Sequence, residues 1–162
     1  MSGEDRVQRL IDDLETARAD LFAALDRLEP ASLTTPGLVG EWSARELIAH
    51  LGYWVGNTVE TIHHVEDGRL EEIGQGEPST DEMNATVARV ARGTDLATVR
   101  KREAASVEAL LERLRRLDPI LLDVRLPDGS TLEAATDEDA GAHYREHADD
   151  LARAFEGRAA HD

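Results

Sequence analysis

The chain has 162 residues and carries 34 acidic against 18 basic side chains, a net charge of −16. This length predicts a single domain over residues 1–162, and the negative charge disfavours nucleic acids and anionic membrane surfaces as partners. The absence of cysteine excludes disulfides, thiolate metal sites and cysteine nucleophiles. Because the sequence shows neither an apolar signal core nor an apolar stretch of membrane length, we expect a cytoplasmic protein.

The first predicted helix covers about residues 4–28, where apolar side chains recur every three or four positions. The pair Glu29-Pro30 ends it, because the residue before a proline disfavours helical geometry. Residues 31–41 contain a Thr-Thr-Pro-Gly run and a further glycine, which indicate a loop.

A second helix is predicted from Ser43 to about residue 65. Ser43, followed three residues later by Glu46, forms a capping-box pattern that is typical of a helix start. Asp67-Gly68 marks the end of this helix. The acidic, glycine-containing stretch 70–78 then indicates a long crossover to the next helix.

Two helical segments follow, over about residues 81–91 and 94–117, with Thr94 as the expected N-cap of the longer one. Asp118-Pro119 ends the second of them. Residues 120–132 include alternating apolar residues before a Pro-Asp-Gly-Ser run. This pattern predicts either a small hairpin or a loop held in place by its apolar side chains.

The last helix is expected to begin near Thr136, because the acidic residues 137–139 favour the positive N-terminal end of a helix. It should end near residue 156 and leave a frayed tail over residues 158–162. Together these segments predict an all-α fold, a four-helix bundle with a long crossover between the second and third helices. A coiled coil is the competing all-helical interpretation, but proline and glycine interrupt the periodicity too often.

Three histidines lie in the apolar stripes of two predicted helices that are far apart in the sequence: His50, His143 and His147. Side chains four residues apart on a helix have Cβ atoms about 5–6 Å apart. Two imidazoles at that spacing can bind one metal ion at about 2.0–2.1 Å, and a third can come from a facing helix. The pattern therefore predicts a divalent-metal site. The alternative is a set of hydrogen-bonded core histidines.

Zinc is the simplest prediction for a site built from histidine alone, although imidazole also suits nickel, iron and copper. Three protein ligands leave a coordination position for water or a substrate, as reactive metal sites do. Asp139 and Asp150 lie one turn from His143 and His147 and are candidate acceptors for their free ring N–H groups.

A run of polar residues continues along the second predicted helix beyond His50. Asn57, Thr61 and His64 lie within about 40° of His50 around the helix axis, at about 100° per residue. Such a run suits a pocket wall, or a helix end that projects into solvent. His64 lies about 20 Å from His50 along the axis and cannot share its metal. We assign no role to His63 or His161.

Motifs of other enzyme classes do not occur: the chain has no GxSxG, P-loop, GxGxxG or HExxH sequence.

The chain resembles the DinB-like superfamily of metal-binding four-helix bundles. The resemblance rests on residues 41–51, which match the family's W-S-x-x-[ED]-x-x-x-H-[LI] signature, and on the late H-x-x-x-H formed by His143 and His147. Asn84 occupies a place where many relatives carry asparagine.

The resemblance covers about residues 6–155. It implies an up-down-down-up bundle, often a homodimer, with a metal held by His50, His143 and His147. The superfamily includes bacillithiol and mycothiol S-transferases and mycothiol-dependent maleylpyruvate isomerase. The isomerases carry an additional C-terminal domain that this chain lacks, so isomerase activity is not expected.

The functional hypothesis is therefore a metal-dependent transferase that joins a low-molecular-weight thiol, such as mycothiol, to an electrophilic small molecule. Trp54, Asn57 and Tyr144 are the candidate substrate-binding residues, and no catalytic residue is assigned. Two alternatives stay open. One is a bundle that sequesters a small molecule without turnover, and the other is a metal-dependent hydrolase.

Overall fold

The structure, a computed structural model, describes residues 1–159 and is all-helical over that range. This range contains six α-helices, and short 3₁₀ turns lie between some of them. The 3₁₀ turns are Pro30–Thr34, Leu70–Glu72 and Pro119–Asp123. The α-helices are α1 (Gly3–Leu25), α2 (Ala44–Glu66), α3 (Thr80–Arg92), α4 (Leu96–Arg116), α5 (Leu132–Asp139) and α6 (Gly141–Ala159). The all-α prediction is confirmed. Over the same range, no helix combines the length and apolar character that crossing a bilayer requires.

The N-terminus of α2 is held as the capping-box pattern predicted. The backbone N–H of Ser43 donates to the Glu46 carboxylate at 2.5 Å. The other oxygen of that carboxylate accepts from Arg92, at the end of α3, at 2.8 Å. Because Glu46 is only 2% exposed, its charge is neutralised within the fold, and the same group that starts α2 also joins α3 to it.

The expected cap at Thr94 is wrong. Asp95 caps α4 by accepting a hydrogen bond from the backbone N–H of Thr98 at 3.1 Å. The Thr94 hydroxyl instead donates back to the carbonyl of Val90 at 2.8 Å and satisfies the end of α3. Hydroxyl and carboxylate side chains both cap helices well. The local backbone conformation, and not the residue type, therefore decides whether Thr94 or Asp95 is the N-cap.

The segment before the last helix takes the second of its two expected forms, a loop held in place by apolar side chains. Residues 120–131 combine the end of the 3₁₀ turn with a loop that has one isolated bridge, Arg125 to Thr131, and no strand. Leu122 and Leu126 are buried and hold this loop on the helices. The expected helix start at Thr136 is wrong, because α5 already begins after Thr131, whose hydroxyl accepts from the Ala134 N–H at 3.1 Å.

A break at Ala140 then divides the expected last helix into α5 and α6. Ala140 has φ −117° and ψ −105°, outside the helical region. At Gly141, an added Cβ would lie 3.1 Å from Cβ of Asp13 and 3.3 Å from the backbone nitrogen of Leu14. The small residue therefore lets α6 start in close contact with α1.

The ends of two helices differ from the predicted bounds. Helix α6 includes residues 158 and 159 of the expected frayed tail, and residues 160–162 lie outside the described range. Helix α1 ends at Leu25 instead of residue 28, and a single turn follows it.

The core forms where α2 packs against α4 and α1 packs against α6, while α3 rests mainly on α2. Leucine side chains with no exposed surface fill this core, among them Leu14, Leu21, Leu47, Leu51 and Leu110. Helices α2 and α4 approach each other closely at Gly52, where an added Cβ would lie 2.9 Å from Cα of Glu103. The absence of a side chain at residue 52 is thus a condition of this packing.

We expect Gly52→Ala to destabilise the protein by about 1–3 kcal/mol, because the new methyl group forces α2 and α4 apart. Gly56→Ala is the matched control on the same helix, since its Cβ would meet only the Ser106 hydroxyl, at 3.4 Å. That variant should be neutral or gain up to about 1 kcal/mol from helix propensity. Urea unfolding of the two variants measures the difference. Equal free energies of unfolding would contradict the packing argument.

Candidate metal centre

The three predicted histidines meet at one point between α2 and α6. His50 lies in the first half of α2, and His143 and His147 lie one turn apart near the start of α6. One ring nitrogen from each of the three lies within 4.8 Å of the other two. Helices α2 and α6 are not a closely packed pair, so the imidazoles occupy the space between their backbones.

The distances between the rings fit a shared ligand. The Nε2 atoms of His50 and His143 are 2.9 Å apart, and those of His143 and His147 are 3.2 Å apart. Two nitrogens bound tetrahedrally to one ion at about 2.0–2.1 Å would be about 3.3 Å apart. Two of the three pairs of rings therefore already have nearly the spacing that a shared divalent ion requires, and all three ring nitrogens lie within 4.8 Å of one another.

The protonation of the rings supports the same role. Burial, followed by the proximity of the other two histidines, lowers the pKa of His50 to about 3. Burial and His147 lower the pKa of His143 to about 4. Both rings are therefore neutral at physiological pH and keep a lone pair for a cation. Their donor set suits zinc and the later first-row divalent metals.

One ligand is oriented by a carboxylate. The Nδ1 atom of His147 lies 3.0 Å from a carboxylate oxygen of Asp150, as the sequence suggested, and Arg153 bonds to the other oxygen. An ionised carboxylate only accepts hydrogen bonds, so this contact places the ring proton on Nδ1. The lone pair of His147 is thereby left on Nε2, which faces the other two rings.

A cavity of about 440 Å³ opens beside the histidines. Its walls combine aromatic, amide and acidic side chains from α2, α3, α5 and α6 and from the segment before α2. The residues are Trp42, His50, Trp54, Thr80, Asn84, Glu138, Asp139, His143, Glu146 and His147. The Trp54 indole donates to the Asn84 side-chain oxygen at 2.9 Å, and the Asn84 side chain also forms a hydrogen bond with His50.

Asp139 adds to this cavity a carboxyl group with a shifted pKa. Burial, followed by the neighbouring charge of Glu138, raises the pKa of Asp139 to about 6. A carboxyl group with that pKa exchanges a proton near neutral pH, as general acids and bases in enzymes do. The sequence suggested Asp139 only as a partner of His143, because its burial arises from the contact of α5 with α2.

The structure brings only some of the other predicted site residues to the cavity. Trp54 lines it, but Asn57 does not. Tyr144 lies in the core with no exposed surface, and its hydroxyl donates to Glu103 at 2.5 Å. Thr61 and His64 also lie away from the cavity: each bonds to a backbone carbonyl of its own helix, and His64 faces Glu72. His161 lies outside the described residues.

Several cavity residues had no predicted role in the sequence. Trp42 lies just before the N-cap of α2, and its ring centroid is 4.8 Å from that of His50. Its position within the family signature was the available signal. Thr80, Glu138 and Glu146 carry no sequence signal of their own, because each lies on a helix face that only the packing of the bundle turns toward the histidines.

Comparison with known proteins gives one result. A family model described as the DinB superfamily matches residues 13–158. No curated protein and no solved structure matches the chain. The matched range contains the three histidines and Asp150, together with the full length of α2, α3, α4 and α5.

The lowered pKa values predict how the metal-free protein responds to acid. In the folded state, the pKa values of His50 and His143 lie below the unfolded value of 6.5. Their contribution to stability is therefore complete above pH 6.5, and it is lost as the pH falls toward the folded-state pKa values of about 3 and about 4. Lowering the pH from about 7.5 to about 5 should therefore remove roughly 1–2 kcal/mol for each ring.

A double variant, His50→Gln/His143→Gln, should lose less stability than the wild type over the same pH interval. Urea unfolding in the presence of a chelator measures this difference. Asp139 acts in the opposite direction, because its raised pKa favours the folded state as the pH falls through 6. It is common to both proteins, so it largely cancels in the comparison. Identical pH dependence of the two proteins would contradict the assignment.

Proposed function

The chain belongs to the DinB superfamily, and on this basis we propose that it is a metal-dependent transferase for a low-molecular-weight thiol. His50, His143 and His147 hold the divalent ion. The observation that carries the proposal is the convergence of three ring nitrogens within 4.8 Å, two of them on neutral imidazoles, of which His50 is buried and His143 half-buried. Zinc is the first candidate, with nickel and iron next.

When bound, the ion would lower the pKa of a coordinated thiol and hold its sulfur as a thiolate. The chain has no cysteine, so the sulfur must come from a separate molecule that enters the cavity. A mycothiol-like thiol fits an opening of about 440 Å³ lined by donor and acceptor groups. Trp42 and Trp54 offer aromatic surface to the electrophilic partner.

In the reaction, the thiol loses its proton, its sulfur forms a bond to the electrophilic carbon, and the leaving group departs with the electron pair of the broken bond. Asp139 lines the cavity and has a pKa near 6, so we assign it the proton from the thiol. Asn84 lines the cavity and orients the substrate, and the hydrogen bond from Trp54 fixes its side chain in place.

The same side chains favour one second candidate, a metal-dependent hydrolase. Three ligands leave room for a water molecule, and Asp139 is equally suited to accept a proton from it. A hydrolase needs no thiol, so the thiol dependence of turnover distinguishes the two reactions. A sequestering protein would bind the small molecule and release it unchanged.

The finer architecture belongs to the same proposal. We infer an up-down-down-up bundle whose crossover between α2 and α4 contains α3. Two pairs of contacts support parallel α2 and α4: Gly52 lies against Glu103, and Gly56 lies against Ser106. A single domain over the chain, a cytoplasmic location and a homodimer complete the proposal by analogy with the family.

Metal content tests the centre directly. The purified protein, dialysed against zinc and then against buffer, should retain about one ion per chain. A His143→Ala/His147→Ala variant should retain almost none, because one remaining imidazole binds weakly. His63→Ala is the matched control, since His63 lies on α2 but contacts Arg113. Elemental analysis measures the ions, and circular dichroism checks folding. Equal metal content in the wild type and the double variant would remove the site.

Turnover tests the reaction. With mycothiol and an activated aryl chloride, the zinc-loaded protein should form the thioether, and His50→Ala should reduce kcat/KM by about a hundredfold or more. Asp139→Asn should lower kcat by about tenfold to a hundredfold with the metal retained, because the proton acceptor is lost. Product formation without thiol, or an unchanged rate in His50→Ala, would count against a thiol transferase.

A further inference from the structure

A second cavity, of about 340 Å³, lies between α2, α3 and α4. Thr80 and Asn84 of α3 line the metal cavity, whereas Met83 and Val87 of the same helix line this one. The two cavities thus share α3 as a wall and have no lining residue in common. Nothing in the proposed transferase reaction uses the second cavity.

The lining of this cavity is mainly aliphatic. It consists chiefly of Ala49, Met83, Val87, Val90, Ala91 and Val99. Val90 is 53% exposed, one of the few large apolar side chains with so much surface in the described part of the chain. Helix α3 packs on α2 but is not a closely packed partner of α4. An apolar surface is therefore left open along the α3–α4 side, within the volume range of small-molecule pockets.

One cation in this cavity has no counter-ion. The Arg102 side chain lines the cavity and makes no ion pair or hydrogen bond with any residue in the range 1–159. Many other arginines of this acidic chain do pair, including Arg6, Arg18 and Arg92. Ser106, one turn further along α4, also lines the cavity, and its hydroxyl is likewise unbonded among these residues. Residues four apart share a helix face.

The charge of the carboxylate beside them is balanced by an arginine. Glu103 is only 1% exposed; Arg18 bonds to both of its oxygens at 2.7 Å, and the Tyr144 hydroxyl bonds to one of them. The acidic side of the cavity is at Tyr53, where burial, together with the negative charge of Glu77, raises the pKa of the Tyr53 hydroxyl. An anionic group in this cavity is therefore directed to the α4 side, toward Arg102.

We propose that this cavity binds a small amphipathic carboxylate, with its hydrocarbon body against the aliphatic side chains of α3 and its carboxylate on Arg102 and Ser106. Arginine forms charge-assisted hydrogen bonds with carboxylates and is suited to bind both oxygens. The hydrocarbon body covers Val90 and the neighbouring apolar surface, which is favourable in water. The site is independent of the metal centre and takes a ligand of a different class.

Calorimetric titration of the whole, metal-loaded protein tests the site with three probes that share a ten-carbon chain: decanoate, 1-decanol and decyltrimethylammonium. Decanoate, below its micellar concentration, should bind at one molecule per chain. The alcohol and the cation should bind at least about tenfold more weakly, since each lacks the charge that Arg102 recognises. Equal affinity for decanoate and 1-decanol would overturn the proposal, as would absence of decanoate binding.

Two arginine variants provide the matched comparison. Arg102→Gln should weaken decanoate binding by about tenfold or more, while Arg89→Gln, an exposed position of α3 outside the cavity, should leave the affinity unchanged. Both positions are exposed, so both variants should fold, and both should retain the metal. An unchanged affinity in Arg102→Gln would contradict the role of this arginine.

Two further measurements address the apolar part of the cavity. Val87→Trp should fill it and abolish binding, and a melting curve would show whether this variant is folded. If Val87→Trp is unfolded, Val90→Glu serves in its place, because an added carboxylate at the rim should repel decanoate.

A second copy of the chain is the competing occupant of this cavity. A dimer in light scattering that Val90→Glu dissociates, together with no decanoate binding, would overturn the proposal.

Discussion

The arrangement of the molecule depends on one buried carboxylate. Glu103 lies in α4, opposite Gly52 of α2, and it bonds to Arg18 of α1 and to the hydroxyl of Tyr144 in α6. One side chain thus connects all four long helices. Breaking a buried ion pair by removing one partner typically costs about 3–5 kcal/mol, so the relative positions of these helices are strongly constrained. Tyr144 directly follows His143, and the bond from Tyr144 to Glu103 fixes the rotation of α6 about its own axis. Because successive residues differ by about 100° around a helix, holding Tyr144 in the core turns His143 and His147 toward His50.

The electrostatics of the metal cavity follow from where the charges of this acidic chain are placed. Three imidazoles converge, and burial keeps His50 and His143 neutral, while Glu138, Asp139 and Glu146 line the same opening. Neutral ligands and nearby carboxylates produce a site that attracts cations and needs no proton release from His50 or His143 before a metal binds at neutral pH. The raised pKa of Asp139 results from the same crowding, because a buried carboxyl next to another acidic group loses its proton less readily.

Helix α3 gives the molecule two different binding environments. Thr80 and Asn84 of this helix line the polar histidine cavity, and Met83 and Val87 line the aliphatic cavity against α4. The helix is short and rests mainly on α2, where Arg92 bonds to the capping carboxylate of Glu46. A helix attached along one side only leaves part of its apolar surface uncovered, which explains the exposure of Val90. The chemistry of the two cavities therefore differs although they share one wall.

Local patterns in the sequence determined a large part of this protein. The period of apolar residues located the helices, the Ser43 and Glu46 pair fixed the start of α2, and the spacing of His143 and His147 placed both rings on one helix face, because all of these act within a few residues. Local signals could not choose between Thr94 and Asp95 as a cap, or detect the break at Ala140, which follows from the contact of Gly141 with α1. They also directed attention to Tyr144 and Asn57 at the metal cavity, where neither side chain lies. Only the tertiary structure decided which faces meet. The exposure of Tyr144, the pKa of Asp139 and the lack of an ion pair for Arg102 within residues 1–159 depend on contacts between helices that are distant in the sequence.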